Sequence, residues 1–321
     1  TGTKECGKST ILKQLKVSNQ GGFTTPELAA FRPAAYKNVL ESSQALVTYM
    51  REAGFECIKG ENNMHCDRIL AYKLDAAPGS LKELHISPDI AEAIYHLWKD
   101  PVMTKVMDEH RAKFNLMDNA EYFFNKVLQI GTPGYLPDDR DALCVYEASG
   151  KFTEMEVKMG QLVIRVIEVG NQHNNRKKWI HSFECATSII FCTALSDYDV
   201  MLGRESQTRL QDSLLLFESL VNSRWFLRTS FVLFLNKIDI FKEKLTKSPL
   251  DHYFPDYIGG DDVNKAGKYI LWKFMQVNRA RLSVYPNLTQ ATDAKNDLSR
   301  SLFVAVKETI LQNALKDQGI M

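Results

Sequence analysis

The chain has 321 residues, 45% of them hydrophobic and 25% charged, which gives room for about two domains of ordinary globular composition. A formal net charge of +1 gives no electrostatic reason to expect a nucleic-acid partner. The six cysteines lack zinc-site spacing and predict a reduced intracellular protein, and the sequence has no apolar run long enough to predict a transmembrane segment.

The first informative segment, Gly-x-x-x-x-Gly-Lys-Ser, runs from Gly2 to Ser9 and is followed by helical periodicity. Such a P-loop wraps backbone amides around phosphate oxygens, while its lysine reaches the β and γ phosphates. A glycine-rich turn that merely opens a helix would not explain the Lys-Ser pair. We therefore assign nucleotide binding to Gly2, Glu5, Gly7, Lys8, Ser9 and Thr10, with the Ser9 hydroxyl also on Mg²⁺. A P-loop needs a strand before it, and we expect that strand to lie upstream of Thr1.

Residues 24–137 have helical periodicity and few strand signals, with predicted helices at 36–50, 88–98 and 119–128. Pro26 stands where a helix begins, and a cluster of glycine and proline residues at 131–137 marks the end of the block. We predict an all-helical domain over 24–137. It is inserted into a second domain formed by residues 1–23 and 138–321.

Strand and helix patterns alternate in the remainder of the chain. The predicted strands are 153–159, 161–169, 188–194 and 231–236, and the predicted helices are 206–221, 263–281 and 296–315. The strands at 188–194 and 231–236 are apolar throughout, which is typical of parallel strands buried on both faces. The alternation predicts a doubly wound α/β sheet. The apolar stripe of the last helix, which includes Ile310 and Leu311, is predicted to face the core.

The sequence Asn236-Lys237-Ile238-Asp239 ends an apolar strand, where ligands of parallel sheets bind. Asp239 can accept two hydrogen bonds from guanine N1 and N2, which adenine cannot offer, so a guanine site is favoured over a plain polar turn and over an ATPase. Residues 289–292 follow a short strand and could bring an amide to the guanine oxygen. We assign nucleotide binding to Asn236, Lys237, Asp239 and Ala291.

These motifs, together with residues 177–181, 190–199 and 234–237, resemble the α subunits of heterotrimeric G proteins over the whole chain. The resemblance implies a Ras-like P-loop GTPase domain with an inserted helical domain, binding GTP or GDP with Mg²⁺. The implied partners are a βγ dimer, a seven-helix receptor contacted by the carboxyl-terminal tail, and an effector contacted through the segment called switch II. The implied location is the cytoplasmic face of the plasma membrane, as a peripheral protein. The family's amino-terminal helix and first strand are expected before Thr1.

Two segments depart from the pattern that this resemblance implies. In the P-loop, Lys4 replaces a glycine beside the γ-phosphate and Cys6 replaces a serine. In switch I, an ungapped alignment places Tyr146 at the catalytic arginine and Ser149 at the magnesium-binding threonine. Ser149 retains a hydroxyl for the metal, whereas a tyrosine cannot supply the positive charge of an arginine.

In switch II the family pattern Asp-x-Gly-Gly-Gln reads Glu168-Val169-Gly170-Asn171-Gln172. Glu168 lengthens the carboxylate by one methylene, and Asn171 adds bulk beside the γ-phosphate. Gly170 is assigned to nucleotide binding, and Gln172 is retained as the catalytic residue that orients water. We therefore predict guanine-nucleotide binding with strongly impaired GTP hydrolysis. The alternative is a pseudo-GTPase scaffold that adopts its active shape without nucleotide.

Overall fold

The computed structural model describes residues 1–74, 84–110, 114, 116–147, 153–159, 162–169, 186–202, 207–293 and 298–318. The chain divides into two compact units. Thr1–Gly22 and Ala148–Met321 form the first unit, and Phe23–Glu147 form the second.

The described helices of the second unit are α2 (Thr25–Glu52), α3 (Glu61–Ala71), α4 (Pro88–Trp98), α5 (Val102–His110), α6 (Ala120–Ile130) and α7 (Asp139–Cys144). Those of the first unit are α1 (Lys8–Gln20), α8 (Arg209–Val221), α9 (Ile238–Leu245), α10 (Val263–Gln276) and α11 (Leu298–Asp317). Its strands are β1 (Thr153–Met159), β2 (Leu162–Glu168), β3 (Ser188–Ala194), β4 (Ser230–Asn236) and β5 (Val284–Leu288). Among these helices, none is both long and apolar enough to cross a membrane.

Strands β3, β4 and β5 lie side by side in parallel, with Phe191 opposite Leu233 and Phe234 opposite Asn287. Strands β1 and β2 form a separate antiparallel pair. Gly2 forms a parallel bridge with Cys192 on β3. The end of β3, the end of β4 and the segment after β5 therefore lie at the same carboxyl edge of the sheet.

Alternate residues of β3 and β4 point into two separate apolar clusters. One cluster contains Phe191, Leu233 and Leu235 with Phe217 of α8 and Phe274 of α10. The other contains Cys192, Val232 and Phe234 with Leu15 of α1 and Leu302 of α11. Helices therefore cover both faces of the parallel sheet, and the mixed α/β class predicted from the alternating pattern is confirmed.

The second unit begins with α2, whose first turn contains Pro26 and a capping box. In that box the amide of Thr24 donates to Oε2 of Glu27 at 2.9 Å. The unit continues past the predicted end at 137 to Glu147. The physical reason is Asp141 of α7, whose carboxylate accepts hydrogen bonds from Tyr122, Lys126 and Tyr135 of the same unit.

Two predictions about helices of the first unit are wrong. Helix α10 ends at Gln276, not at 281, because the Asn278 side chain exchanges two hydrogen bonds with the backbone of Leu282 and forms a turn. Ile310 and Leu311 of α11 do not face the core, since they are 48% and 59% exposed.

Candidate functional site

The P-loop leads from the bridge at Gly2 into α1. Gly2, Glu5 and Gly7 have φ angles of 148°, 60° and 97°, and Gly7 is the residue that precedes the helix. The first amides of a helix have no acceptor in its own hydrogen-bond ladder, and together with the helix dipole they favour an anion. The loop therefore presents the start of α1, including Thr10 in its first turn, as an anion-binding element.

Two glycines of this loop stand where no side chain fits. A Cβ atom on Gly2 would lie 2.1 Å from the carbonyl oxygen of Cys192. A Cβ atom on Gly7 would lie 2.2 Å from Nδ2 of Asn236. Both glycines are thus required by close approach as well as by their φ angles.

Lys8 is buried within the curve of the loop. Its ammonium group donates to the carbonyl oxygens of Thr3 at 2.6 Å and Gly2 at 3.2 Å, and Nζ lies 3.9 Å from Sγ of Cys6. A positive charge is therefore held within the loop, where it can neutralise the charge of a phosphate group.

Asn236, the last residue of β4, joins three segments of the site. Its Nδ2 donates to the carbonyl oxygen of Cys6 at 3.0 Å. Its Oδ1 accepts from the amide of Ala291 at 3.0 Å and from the hydroxyl of Thr289 at 3.3 Å. One buried amide side chain thus connects the P-loop to the segment after β5.

Asp239 is placed by the backbone around it. Lys237 has a left-handed φ of 61° and precedes α9, whose first turn contains Asp239. The amide of Ile238 donates to the carbonyl oxygen of Thr289 at 3.3 Å. The start of α9 is therefore attached to the segment that contains Ala291, and the half-buried carboxylate of Asp239 is carried by that turn.

Ser9 and Glu168 bring two oxygen donors together at the start of α1. The Ser9 hydroxyl donates to Oε1 of Glu168 at 2.6 Å, and Glu168 is 6% exposed. Hydroxyl and carboxylate oxygens are the ligands that Mg²⁺ prefers, so these two residues fit a magnesium ion beside the P-loop. The other predicted magnesium ligand, Ser149, lies outside the described residues, and Glu168 was not predicted as a ligand.

Residues 1–310 match the family model described as G-protein alpha subunit. The chain is 54% identical over 321 residues to a guanine nucleotide-binding protein subunit alpha of Cryptococcus neoformans, covering all of this chain and 73% of that protein. It is 52% identical to the alpha-3 subunit of Ustilago hordei and 43% identical to the alpha-2 subunit of Saccharomyces cerevisiae, covering 89% and 71% of those proteins and all of this chain. The chain belongs to the G-protein α-subunit family.

In this family member, a charged cluster holds the outer part of the P-loop. Arg209 of α8 donates to the carbonyl oxygen of Lys4 at 2.7 Å and to Oε2 of Glu5 at 3.0 Å, and lies 3.6 Å from Asp197. Nζ of Lys4 lies 3.2 Å from Oε1 of Glu5. Burial opposes ionisation of Glu5, but Arg209 and Lys4 hold the pKa of its carboxyl group below the ordinary value.

Sequence reasoning did not identify Arg209 as a residue of the site. It lies about 200 residues from the P-loop, and its position at the start of a helix carries no periodic signal. The only available hint was its place directly after Thr208, a typical helix cap.

Tyr146 lies in the second unit of the chain. Its amide donates to Oδ1 of Asn38 at 2.7 Å, and Nδ2 of Asn38 donates to its carbonyl oxygen at 3.0 Å. The backbone at this position is therefore fixed by α2, whatever side chain it carries. The other predicted switch residues, Gly170, Asn171 and Gln172, lie outside the described residues.

A Gly7→Ala substitution should lower the free energy of unfolding by about 2–4 kcal/mol, because the new methyl group would displace Asn236 in addition to straining φ. Gly21→Ala is the matched control. Gly21 ends the same helix with a φ of 76°, but its Cβ would meet nothing within 4 Å, so the expected loss is about 1 kcal/mol. Urea unfolding of both variants checks this. Equal losses would show that the contact with Asn236 does not matter.

Proposed function

We propose that this chain is a signal transducer that binds GDP and GTP at the P-loop site, with Mg²⁺ at Ser9. Support comes above all from Asn236, which ties the phosphate-binding loop at Cys6 to the predicted base-binding segment at Ala291. A ligand that spans a phosphate site and a base site suits this connection. The curated relatives from C. neoformans, U. hordei and S. cerevisiae are all named guanine nucleotide-binding proteins, which supports the same class of ligand.

The residues of the P-loop and of the predicted base-binding segments have separate roles in the proposed binding mode. Lys8 neutralises phosphate charge, and the loop amides around Gly7 donate to phosphate oxygens. Asp239 accepts hydrogen bonds from the base. The segment that contains Ala291 is attached to the start of α9 through the bond from Ile238 to Thr289. Bound Mg²⁺ would neutralise charge on the β and γ phosphates, and Ser9 would be one of its ligands.

We propose that GTP hydrolysis is strongly impaired. Tyr146 offers no positive charge for the transition state at the position where the resemblance implies an arginine. Lys4 adds a side chain where the resemblance implies glycine, so attacking water would be crowded. Gln172 is proposed to retain the water-orienting role.

The proposed partners are a βγ dimer, an effector that contacts switch II, and a seven-helix receptor that contacts the carboxyl-terminal tail. The receptor proposal draws support from α11, where Ile310 and Leu311 are exposed on the helix that leads into the tail. Exposed apolar side chains on a helix suit docking into a groove of a partner. Peripheral attachment to the cytoplasmic face of the plasma membrane is proposed with these partners.

A second candidate function is a pseudo-GTPase scaffold. It is favoured by the contacts that protein groups make within the site itself. The Lys8 ammonium group donates hydrogen bonds to carbonyl oxygens of the loop, and the Ser9 hydroxyl donates one to Glu168. The Glu168 side chain is one methylene longer than the aspartate that the family pattern implies. Such internal bonds could hold the loop in shape without a γ-phosphate.

Chromatography of nucleotides released by denaturing the purified protein tests the two candidates. Guanine-nucleotide binding predicts close to one GDP per chain, and Lys8→Ala should lose it because phosphate would meet no ammonium group. The matched control is Lys265→Ala at an exposed position of α10, which should retain GDP. A folded, nucleotide-free wild-type protein that does not take up added GDP would instead support the scaffold.

A further inference from the structure

Two cysteine thiols of the second unit face each other across a short connection. Sγ of Cys57 lies 3.7 Å from Sγ of Cys66. Cys57 belongs to the segment between α2 and α3, and Cys66 belongs to α3. Both residues are buried, at 8% and 6% exposure.

The backbone is held in place near both cysteines. Cys66 is held by the helical backbone of α3, whereas the segment after Cys57 is held by Asp100. The Asp100 carboxylate accepts from the amides of Ile58 and Lys59, both at 3.1 Å, and from Nδ2 of Asn62 at 2.7 Å. Asn62 also lies on α3, so a single carboxylate joins the connection to the helix.

We propose that Cys57 and Cys66 are a site of reversible oxidation that forms a disulfide when a peroxide is the oxidant. An S–S bond is about 2.05 Å long, so the two sulfur atoms must approach by less than 2 Å, a distance within reach of side-chain rotation. This site is independent of nucleotide binding and of the proposed function.

The reaction balances with hydrogen peroxide alone. The sulfur of one cysteine attacks a peroxide oxygen and breaks the O–O bond, giving a sulfenic acid and one water. The second sulfur then attacks the sulfenic sulfur and releases a second water as the S–S bond forms. Two thiols lose two electrons and two protons in total, and peroxide is reduced to two waters. A dithiol reductant reverses the step by thiol–disulfide exchange.

The environment predicts that this oxidation is slow but specific. Burial, with the neighbouring Cys66 thiol and the Asp100 carboxylate, raises the pKa of Cys57 to about 12, and burial raises the pKa of Cys66. Both thiols are therefore protonated at neutral pH, and the thiolate is the reactive form. Once one sulfur is oxidised, its partner is already adjacent, so disulfide formation should outpace further oxidation to sulfinic acid.

Tryptic mapping offers a direct test because Lys59 lies between the two cysteines. Cleavage after residues 51, 59 and 68 separates peptide 52–59, with Cys57, from peptide 60–68, with Cys66. Folded full-length protein is treated with hydrogen peroxide, the peroxide is removed, and the protein is then unfolded in the presence of N-ethylmaleimide, which blocks every remaining thiol before digestion. We expect one linked species, two hydrogens lighter than the sum of both peptides, which dithiothreitol splits. Met64 is 65% exposed in the second peptide, and its sulfoxide adds an oxygen without linking the chains.

Variants and a stability measurement decide the outcome. Cys57→Ala and Cys66→Ala should each abolish the linked species, whereas Cys144→Ala, another buried cysteine of the same unit, should retain it. Because the cross-link closes a ring and restricts the unfolded chain, oxidation should raise the thermal midpoint of wild type by roughly 5 °C or more, reversibly. The proposal is overturned if the two peptides remain separate while either cysteine accumulates sulfinic acid. It is equally overturned if linking occurs only in urea.

Discussion

Single-turnover cleavage of GTP by this chain should be at least about 10³-fold slower than cleavage by a family member with an arginine at the position of Tyr146. An arginine supplied to the transition state is worth about 10³–10⁵ in rate, or roughly 4–7 kcal/mol of barrier. A tyrosine side chain is neutral and cannot replace that charge. Crowding of the attacking water by Lys4 would add to the loss.

Both positions can be changed without removing the backbone hydrogen bonds that hold them, although Lys4→Gly also removes the ion pair with Glu5. Asn38 forms its two hydrogen bonds with the amide and the carbonyl oxygen of Tyr146, so Tyr146→Arg should preserve both of them. Arg209 likewise holds Lys4 through its carbonyl oxygen, which Lys4→Gly would keep. We expect each single variant to recover part of the rate and the double variant to recover more than either. Tyr95→Arg, at a half-buried position of α4, serves as the control for an added arginine in the same unit.

Rapid-quench measurement of phosphate release from preloaded GTP checks these expectations. If the wild-type rate falls within tenfold of a relative that carries the arginine, impaired hydrolysis is wrong. If Tyr146→Arg alone restores the full rate, the proposed obstruction by Lys4 is wrong. Nucleotide occupancy must be measured for every variant, because a protein that binds no GTP would also release no phosphate.

The sequence predicted the bounds of those helices and strands that are determined by residues within the element itself. Helix α4 occupies the predicted residues 88–98, because a proline in its first turn and a strong apolar stripe act within one segment. Strand β3 occupies the predicted residues 188–194, since a continuous apolar run has few alternatives to a buried strand. Helix α3 was not predicted. Its sequence is largely polar, and it is held through Asp100 and Asn62 by contacts that no sequence window contains.

The candidate site shows the same difference between local motifs, which the sequence predicted, and contacts between distant residues, which it did not. The P-loop and the segment 236–239 were recognisable because their residue types perform chemistry at fixed spacing. The bond from Asn236 to Cys6 spans 230 residues in sequence, and the bonds of Arg209 to the loop span more than 200. Such links depend on which strand ends meet at the sheet edge. That information emerges only when β3, β4 and β5 are placed side by side.

Asp239→Ala should weaken GDP and GTP binding by several kcal/mol, or about 10²–10⁴ in affinity. The guanine N1 and N2 donors would lose a charged acceptor in a site that shields them from water, and each lost charge-assisted bond costs about 1.5–3 kcal/mol. The start of α9 should survive the substitution, because its position depends on Lys237 and on the bond from Ile238 to Thr289.

Competition assays against a fluorescent guanine nucleotide measure this effect and separate base from phosphate recognition. Inorganic triphosphate should compete equally well for wild type and Asp239→Ala, since it contacts only the P-loop, whereas GTP should lose its advantage over ATP in the variant. Asp261→Ala, at an exposed position in the loop before α10, is the matched control and should bind like wild type. Equal affinity of the wild-type protein for ATP and GTP would contradict the assignment of Asp239. Loss of triphosphate binding in Asp239→Ala would instead show that the substitution had disturbed the P-loop through Asn236, and that the carboxylate supports the site rather than reading the base.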